Sequence, residues 1–134
     1  MAQQYGIDTS VLVRLVTKVP LRDFERCVRE LVALVEEQGC EVFVSNQAIG
    51  EAYATLTHHY RAPEAEARSS LLDVLTSGLV APLNGLAVLD ALSASAGPSL
   101  FDRLIADDYA RRGLETLTLD RRMASLPDAR LISE

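Results

Sequence analysis

The stretch QYGIDTSVL, residues 4–12, sets the expectation for the fold. Its first part, residues 4–7, is predicted to form a short strand that ends at Asp8. The threonine and serine that follow are good helix caps, and the pattern predicts a helix from there to about Thr17. The stretch therefore predicts a strand that turns directly into a helix, with a carboxylate at the junction.

The same alternation of strand and helix continues along the chain. Further strands are predicted at residues 41–44, 79–81 (which could resume near Ala87), 115–119 and 129–132. The predicted helices cover residues 20–38, 46–60, 64–75, a segment around Ala91, 99–112 and a short turn at 121–124. Strands separated by helices imply right-handed βαβ units. The sequence therefore predicts an α/β fold of three layers, α/β/α, with a central parallel sheet of four to five short strands.

Length and composition limit the classes of protein that the chain could belong to. The 134 residues fit a single domain over residues 1–134, and the 49% apolar content without tryptophan implies an aliphatic core of the kind that parallel sheets bury. Cys27 and Cys40 are too few for a disulfide framework, which favours free thiols in a reducing compartment. No stretch resembles a signal peptide or is long enough to cross a bilayer, so we expect a cytoplasmic protein with no membrane contact.

The charge of the chain limits how it could bind nucleic acid. A net charge of −6 argues against a protein that coats nucleic acid non-specifically over a broad surface. It is compatible with a nuclease whose acidic residues collect in a metal site. Four arginines near the candidate acids could hold RNA phosphates, or could simply be solvated or paired with acids. These are Arg14, Arg103, Arg121 and Arg122.

Four carboxylates are placed to meet at one edge of the predicted sheet. Asp8 and Asp120 each follow a predicted strand directly, and parallel strands end at the same edge. Glu51 lies one to two turns into the helix after the second strand, and Asp102 lies in the first turn of its helix. In parallel α/β sheets ligands bind at this edge, so the four acids are candidates for one site.

Carboxylates gathered in this way repel one another, by roughly 4 kcal/mol for a pair about 4 Å apart in an effective dielectric of about 20. A hard divalent cation relieves the repulsion, and Mg²⁺ or Mn²⁺ prefers such oxygen ligands. One or two such ions could activate a water and stabilise the leaving oxygen of a phosphodiester. The hydroxyl of Thr118 could hydrogen-bond a carboxylate or phosphate oxygen, and Thr9, next to Asp8, is a second supporting residue.

Each of the four acids also has a purely structural interpretation. Asp8 and Asp120 could each cap the helix that follows, and Asp102 could be the acid of a Ser-x-x-Asp capping box. Glu51 could be a solvated helix position, although its apolar neighbours make that less natural. The set is therefore more persuasive than any one member.

Four segments, in order and covering essentially the whole chain, resemble the motifs of the PIN-domain family, and within it the VapC-type toxin ribonucleases of type II toxin–antitoxin pairs. The segments are Gly6-Ile7-Asp8-Thr9-Ser10-Val11-Leu12, residues 46–56, Asp102-Arg103-Leu104-Ile105-Ala106 and Leu117-Thr118-Leu119-Asp120. The resemblance implies a catalytic and metal-binding role for four acids, namely Asp8, Glu51, Asp102 and Asp120. Thr118 matches a hydroxyl residue that often precedes the last acid.

The resemblance further implies Mg²⁺- or Mn²⁺-dependent cleavage of RNA, a homodimer, and inhibition by a small partner antitoxin. The chain departs from the family pattern at Met123, where phenylalanine is common, and at Asp107 and Asp108, which add acids after Ile105-Ala106. The departures leave the four matched acids intact.

Two other classes of function stay open on the sequence. A non-catalytic PIN-like module could bind RNA or a protein without cleaving it, and calorimetry with divalent ions would discriminate it. A receiver-like domain could use Asp8 as a phosphate acceptor, but it needs a lysine after a late strand, and the only lysine is Lys18. The sequence favours a metal-dependent endoribonuclease that acts as a toxin.

Overall fold

The computed structural model describes residues 3–132 and consists of short strands separated by helices. The strands are β1 (Gln4–Ile7), β2 (Glu41–Val44), β3 (Ala81–Pro82), β4 (Thr116–Thr118) and β5 (Ala129–Leu131). The helices are α1 (Thr9–Thr17), α2 (Leu21–Val32), α3 (Asn46–Ala54), α4 (Glu64–Leu75), α5 (Leu86–Ser93) and α6 (Leu100–Ala110). Shorter helical turns follow α2 (Ala33–Glu37), α3 (Thr55–His59) and β4 (Met123–Ser125).

All strand pairs are parallel, and the five strands are divided between two sheets. β1, β2 and β3 form one sheet in that order, with Ile7 opposite Val44 and Val44 opposite Pro82. Within residues 3–132, β4 and β5 pair only with each other. The α/β class with parallel strands is confirmed, whereas the sequence had suggested one central sheet. Hydrophobic spacing predicts where strands lie along the chain, but their lateral neighbours are set by tertiary packing.

Local capping chemistry explains where three of the helices begin. The side chains of Asp8, Ser45 and Ser99 each accept a hydrogen bond from the backbone N–H three residues later, at the start of α1, α3 and α6. Gly39 ends the second helical segment with a positive φ of 70°, which glycine adopts at little steric cost. These boundaries agree with the sequence predictions to within a few residues.

The core is aliphatic, as the composition predicts. Its fully buried side chains come from several helices and from β2, and the largest are Leu12, Val44, Ile49, Leu71, Val88 and Leu100. Cys27 and Cys40 are both free thiols, as expected. Across residues 3–132 no helix is both long and apolar enough to cross a membrane. A single domain over residues 1–134 stays a prediction.

Helix α3 connects the elements that carry the candidate acids, because it packs against both α1 and α6. Gly50 permits the close approach to α6. A Cβ at this position would lie 3.3 Å from Cε1 of Phe101 and 3.6 Å from Cδ1 of Leu104. Helix α3, which carries Glu51, is therefore the element through which α1 and α6 are connected.

Candidate active site

Asp8 lies at the end of β1 and caps α1. Its Oδ1 accepts hydrogen bonds from the Ser10 hydroxyl at 2.6 Å and from the Val11 backbone N–H at 3.3 Å. These bonds favour the charged carboxylate, the Ser10 bond most strongly, and they hold the pKa of Asp8 below its usual range. Asp8 is therefore an exposed, ionised carboxylate held in a fixed orientation at the carboxyl end of a strand.

Glu51 is exposed on α3 between the buried residues Gly50 and Ala52. Its Oε2 accepts a hydrogen bond from the hydroxyl of Thr9 at 3.3 Å. Because Thr9 follows Asp8 directly, this bond brings the two acids into one neighbourhood. Thr9, expected as a supporting residue, is the link between them.

Asp102 lies in the first turn of α6, where its backbone N–H donates to the Ser99 hydroxyl at 3.1 Å. This is the serine half of the Ser-x-x-Asp capping box, in which the acid would also accept from the backbone N–H of Ser99. The side chain of Asp102 is half-buried, and it accepts no hydrogen bond from any residue between 3 and 132. The carboxylate thus plays no part in the cap.

Asp120 follows β4 and organises the short turn after it. Its Oδ1 accepts hydrogen bonds from the backbone N–H groups of Arg122 at 2.7 Å and Met123 at 3.4 Å. The hydroxyl of Thr118 in turn accepts a hydrogen bond from the Asp120 backbone N–H at 2.9 Å. Thr118 therefore contacts the Asp120 backbone and not its carboxylate. The Asp120 carboxylate caps the turn that follows, as its structural interpretation predicts.

The structure brings Asp8 and Glu51 together but does not gather all four acids into one ligand group. In the described part of the chain no three acidic, histidine or cysteine side chains lie close enough to hold a metal ion together. β1, which ends before Asp8, and β4, which ends before Asp120, belong to different sheets, so the single shared sheet edge that the sequence predicts for these two acids is not formed. Carboxylate oxygens, which Asp8 and Glu51 supply, suit Mg²⁺ or Mn²⁺ by donor type.

Three of the four arginines that the sequence offers as possible RNA-binding residues donate to backbone carbonyls. Arg103 donates from Nε to the Pro98 carbonyl at 3.0 Å and from Nη2 to the Ala96 carbonyl at 2.8 Å. Arg122 donates to the Gly97 carbonyl, and Arg14 donates to the Val19 carbonyl.

Arg121 differs from these three. It is exposed, and it makes no hydrogen bond or ion pair with any residue from 3 to 132. Its guanidinium is therefore free of such contacts within residues 3–132 and available to a phosphate.

A polar cluster at the ends of β2 and β3 was missed on the sequence. Asn46, 5% exposed, donates from Nδ2 to Asp107 Oδ2 at 2.9 Å and Asp108 Oδ1 at 3.0 Å. Asn84 Nδ2 donates to the same two oxygens, at 3.0 and 2.8 Å. Arg111 pairs with Asp107 at 3.5 Å. The sequence signal that could have found this cluster is position, since each asparagine lies two residues after the end of a strand.

Comparison with known proteins adds the family. The family model of the PIN domain matches residues 5–129, nearly the whole chain. No curated protein and no solved structure matches the chain significantly. PIN domains are typically metal-dependent nucleases that bind RNA and generally use divalent metal ions. With parallel strands, an ionised aspartate at the end of the first strand and a family match of this extent, the chain belongs to the PIN domain family.

Proposed function

We propose that the protein is a metal-dependent endoribonuclease with a site built on Asp8 and Glu51. The observation that carries the proposal is the ionised, exposed carboxylate of Asp8 at the end of β1, connected through the Thr9 hydroxyl to Glu51. In a member of a family of nucleases, this is the place where a divalent ion and a phosphodiester would meet.

Asp8 and Glu51 would hold one or two Mg²⁺ or Mn²⁺ ions, and we propose Asp102 and Asp120 as the further carboxylates of the site. A bound ion supplies an activated water and stabilises the leaving oxygen of the phosphodiester. The chain's own contribution is orientation. Ser10 holds one oxygen of Asp8 and leaves Oδ2 free of that bond, and Thr9 fixes the carboxylate of Glu51.

The test is cleavage of RNA by the purified protein with Mg²⁺ or Mn²⁺. We expect Asp8→Asn and Glu51→Gln to lose cleavage, by about 100-fold or more, since each removes a charged ligand of the ion. Glu66→Gln is a matched control, because Glu66 is an exposed acid on another helix, α4. Wild-type cleavage in both site variants would disprove the proposed site.

We also propose the biological setting that the VapC-type resemblance implies. The protein would act in the cytoplasm as the toxin of a toxin–antitoxin pair, as a homodimer, and a small cognate antitoxin would inhibit it. Expression alone should arrest growth, and co-expression of the small protein encoded beside it should relieve the arrest. Light scattering on the purified chain measures the homodimer independently, and a monomer at micromolar concentration would remove that part of the proposal.

One observation favours a second candidate, a PIN-like module that binds RNA or a protein without cleaving it. The Asp120 carboxylate caps the turn after β4, and the four acids do not form one ligand group within residues 3–132. This candidate predicts RNA binding that is unchanged by a chelator and no heat of binding for Mg²⁺ or Mn²⁺. Titration calorimetry on the wild-type protein separates it from the nuclease.

A further inference from the structure

A cavity of about 290 Å³ lies next to Glu51, between α3 and α6. Its walls include an aromatic ring, two acids and an amide, from Gln47, Gly50, Glu51, Phe101, Ile105 and Asp108. Because Glu51 is bonded to Thr9, the cavity adjoins the start of α1, where Asp8 lies. A group bound there would be a neighbour of the proposed metal ligands.

Phe101 offers an aromatic face to this cavity. The side chain is 41% exposed, although it sits in the first turn of a helix whose next turn is packed into the core. Tyr53 contacts it edge-on, with ring centroids 5.7 Å apart and an interplanar angle of 71°. The missing side chain of Gly50 leaves room for the ring, since a Cβ there would lie 3.3 Å from Cε1. The ring of Phe101 therefore packs against Tyr53 and Gly50 and is partly exposed.

Asp108, about two turns further along α6, is a fixed hydrogen-bond acceptor that also lines the cavity. Its Oδ1 accepts from the amide nitrogens of Asn46 and Asn84, so two segments that follow strands hold the carboxylate in place. Arg111 pairs with Asp107 and not with Asp108. Oδ2 of Asp108 takes no part in these bonds and can accept from a ligand.

We propose that this cavity binds one unpaired nucleobase of the RNA substrate, stacked on Phe101 and with its exocyclic amino group donating to Asp108. Proteins recognise single-stranded RNA by stacking splayed bases on aromatic side chains and hydrogen-bonding their edges. Carboxylates accept from the amino group of cytosine, and adenine and guanine also carry one, whereas uracil does not. The inference rests on the proposed ribonuclease function and assigns a specificity role to Asp108.

Binding is measured on the Asp8→Asn protein, which should not cut its ligand, with short fluorescein-labelled homopolymers of A, C and U and fluorescence anisotropy. We expect Phe101→Leu to weaken binding of all three by about 5- to 150-fold, the effect of one stacked base. Phe101→Tyr should retain binding. Tyr109→Leu is the matched control, since Tyr109 is 45% exposed on the same helix and does not line the cavity. Equal weakening by both leucine variants, or none by Phe101→Leu, would overturn the proposal.

The role of Asp108 is read from the ratio of affinities for A and U. Asp108→Ala should reduce the preference for A and C over U to near unity. Asp107→Ala removes an acceptor from the same two asparagines without lining the cavity, and should keep the preference. An unchanged ratio in Asp108→Ala, or no RNA binding by the Asp8→Asn protein, overturns the inference. Neither result depends on cleavage. The nuclease proposal is therefore tested separately, by the RNA cleavage assay on the wild-type protein.

Discussion

The hydroxyl of Ser10 sets the titration of Asp8, the acid on which the proposed site depends. Its 2.6 Å bond to Oδ1 is the largest of the influences that lower the pKa of Asp8. We expect Ser10→Ala to raise that pKa towards the usual aspartate range, as followed by NMR titration of the Asp8 carboxyl in metal-free protein.

The same substitution has a defined effect on stability against pH. A depressed folded-state pKa contributes stability that is present above the unfolded pKa of aspartate and is lost as the pH falls through the folded pKa. With Ser10→Ala, the loss of stability between those two pKa values should shrink, while stability at lower pH should be unaffected by this bond. Identical acid-unfolding curves for the two proteins would show that the bond does not form.

Two of the candidate arginines should respond differently to truncation. Arg103 donates two hydrogen bonds to the loop before α6, so Arg103→Ala should lower the free energy of unfolding by about 1–3 kcal/mol. Arg121 makes no such bond within residues 3–132, and Arg121→Ala should lower RNA affinity and leave stability within about 0.5 kcal/mol. Urea unfolding and RNA binding together measure both effects. The reverse assignment would contradict this division of roles.

At the scale of the elements, Asn46 connects the start of α3 to the second half of α6. Its amide nitrogen lies within 3.0 Å of the Leu104 carbonyl and of both acids of the cluster. Asn46→Ala removes a buried donor shared by three acceptors, so we expect a loss of about 1–3 kcal/mol in the free energy of unfolding. Gln47→Ala, at the exposed next position, is the control and should change stability little. Equal urea midpoints for the two variants would count against this role of Asn46.

The elements also show what could be read from the sequence and what could not. Caps at Asp8, Ser45 and Ser99 were predictable because a cap depends on neighbours within three residues. The contact of Asn46 with Asp107 joins positions 61 residues apart, and no local pattern records it. The separation of β4 from β1 was missed for the same reason, since strand order is decided by long-range packing.

On the scale of the whole molecule, the proposed ion links the site to the stability of the fold. A ligand that binds only the folded state stabilises it by RT ln(1 + [L]/Kd), about 2.7 kcal/mol at a hundred times Kd. For a chain of this size, that corresponds to a rise in Tm on the order of 10 °C. We expect Mn²⁺ to raise the Tm of the wild type in this way and to leave Asp8→Asn unchanged.

In the same thermal measurement, Asp120→Asn distinguishes a metal-binding role of Asp120 from a purely capping role. Asparagine can accept the same backbone hydrogen bonds at the turn after β4, so the metal-free Tm should stay close to that of the wild type. If Asp120 completes the metal site, the Mn²⁺-dependent rise should shrink in this variant because a charged ligand is lost. A full rise in Asp120→Asn would restrict Asp120 to its capping role and leave the ion to Asp8, Glu51 and Asp102. A full rise in Asp8→Asn would remove the ion from the end of β1 altogether.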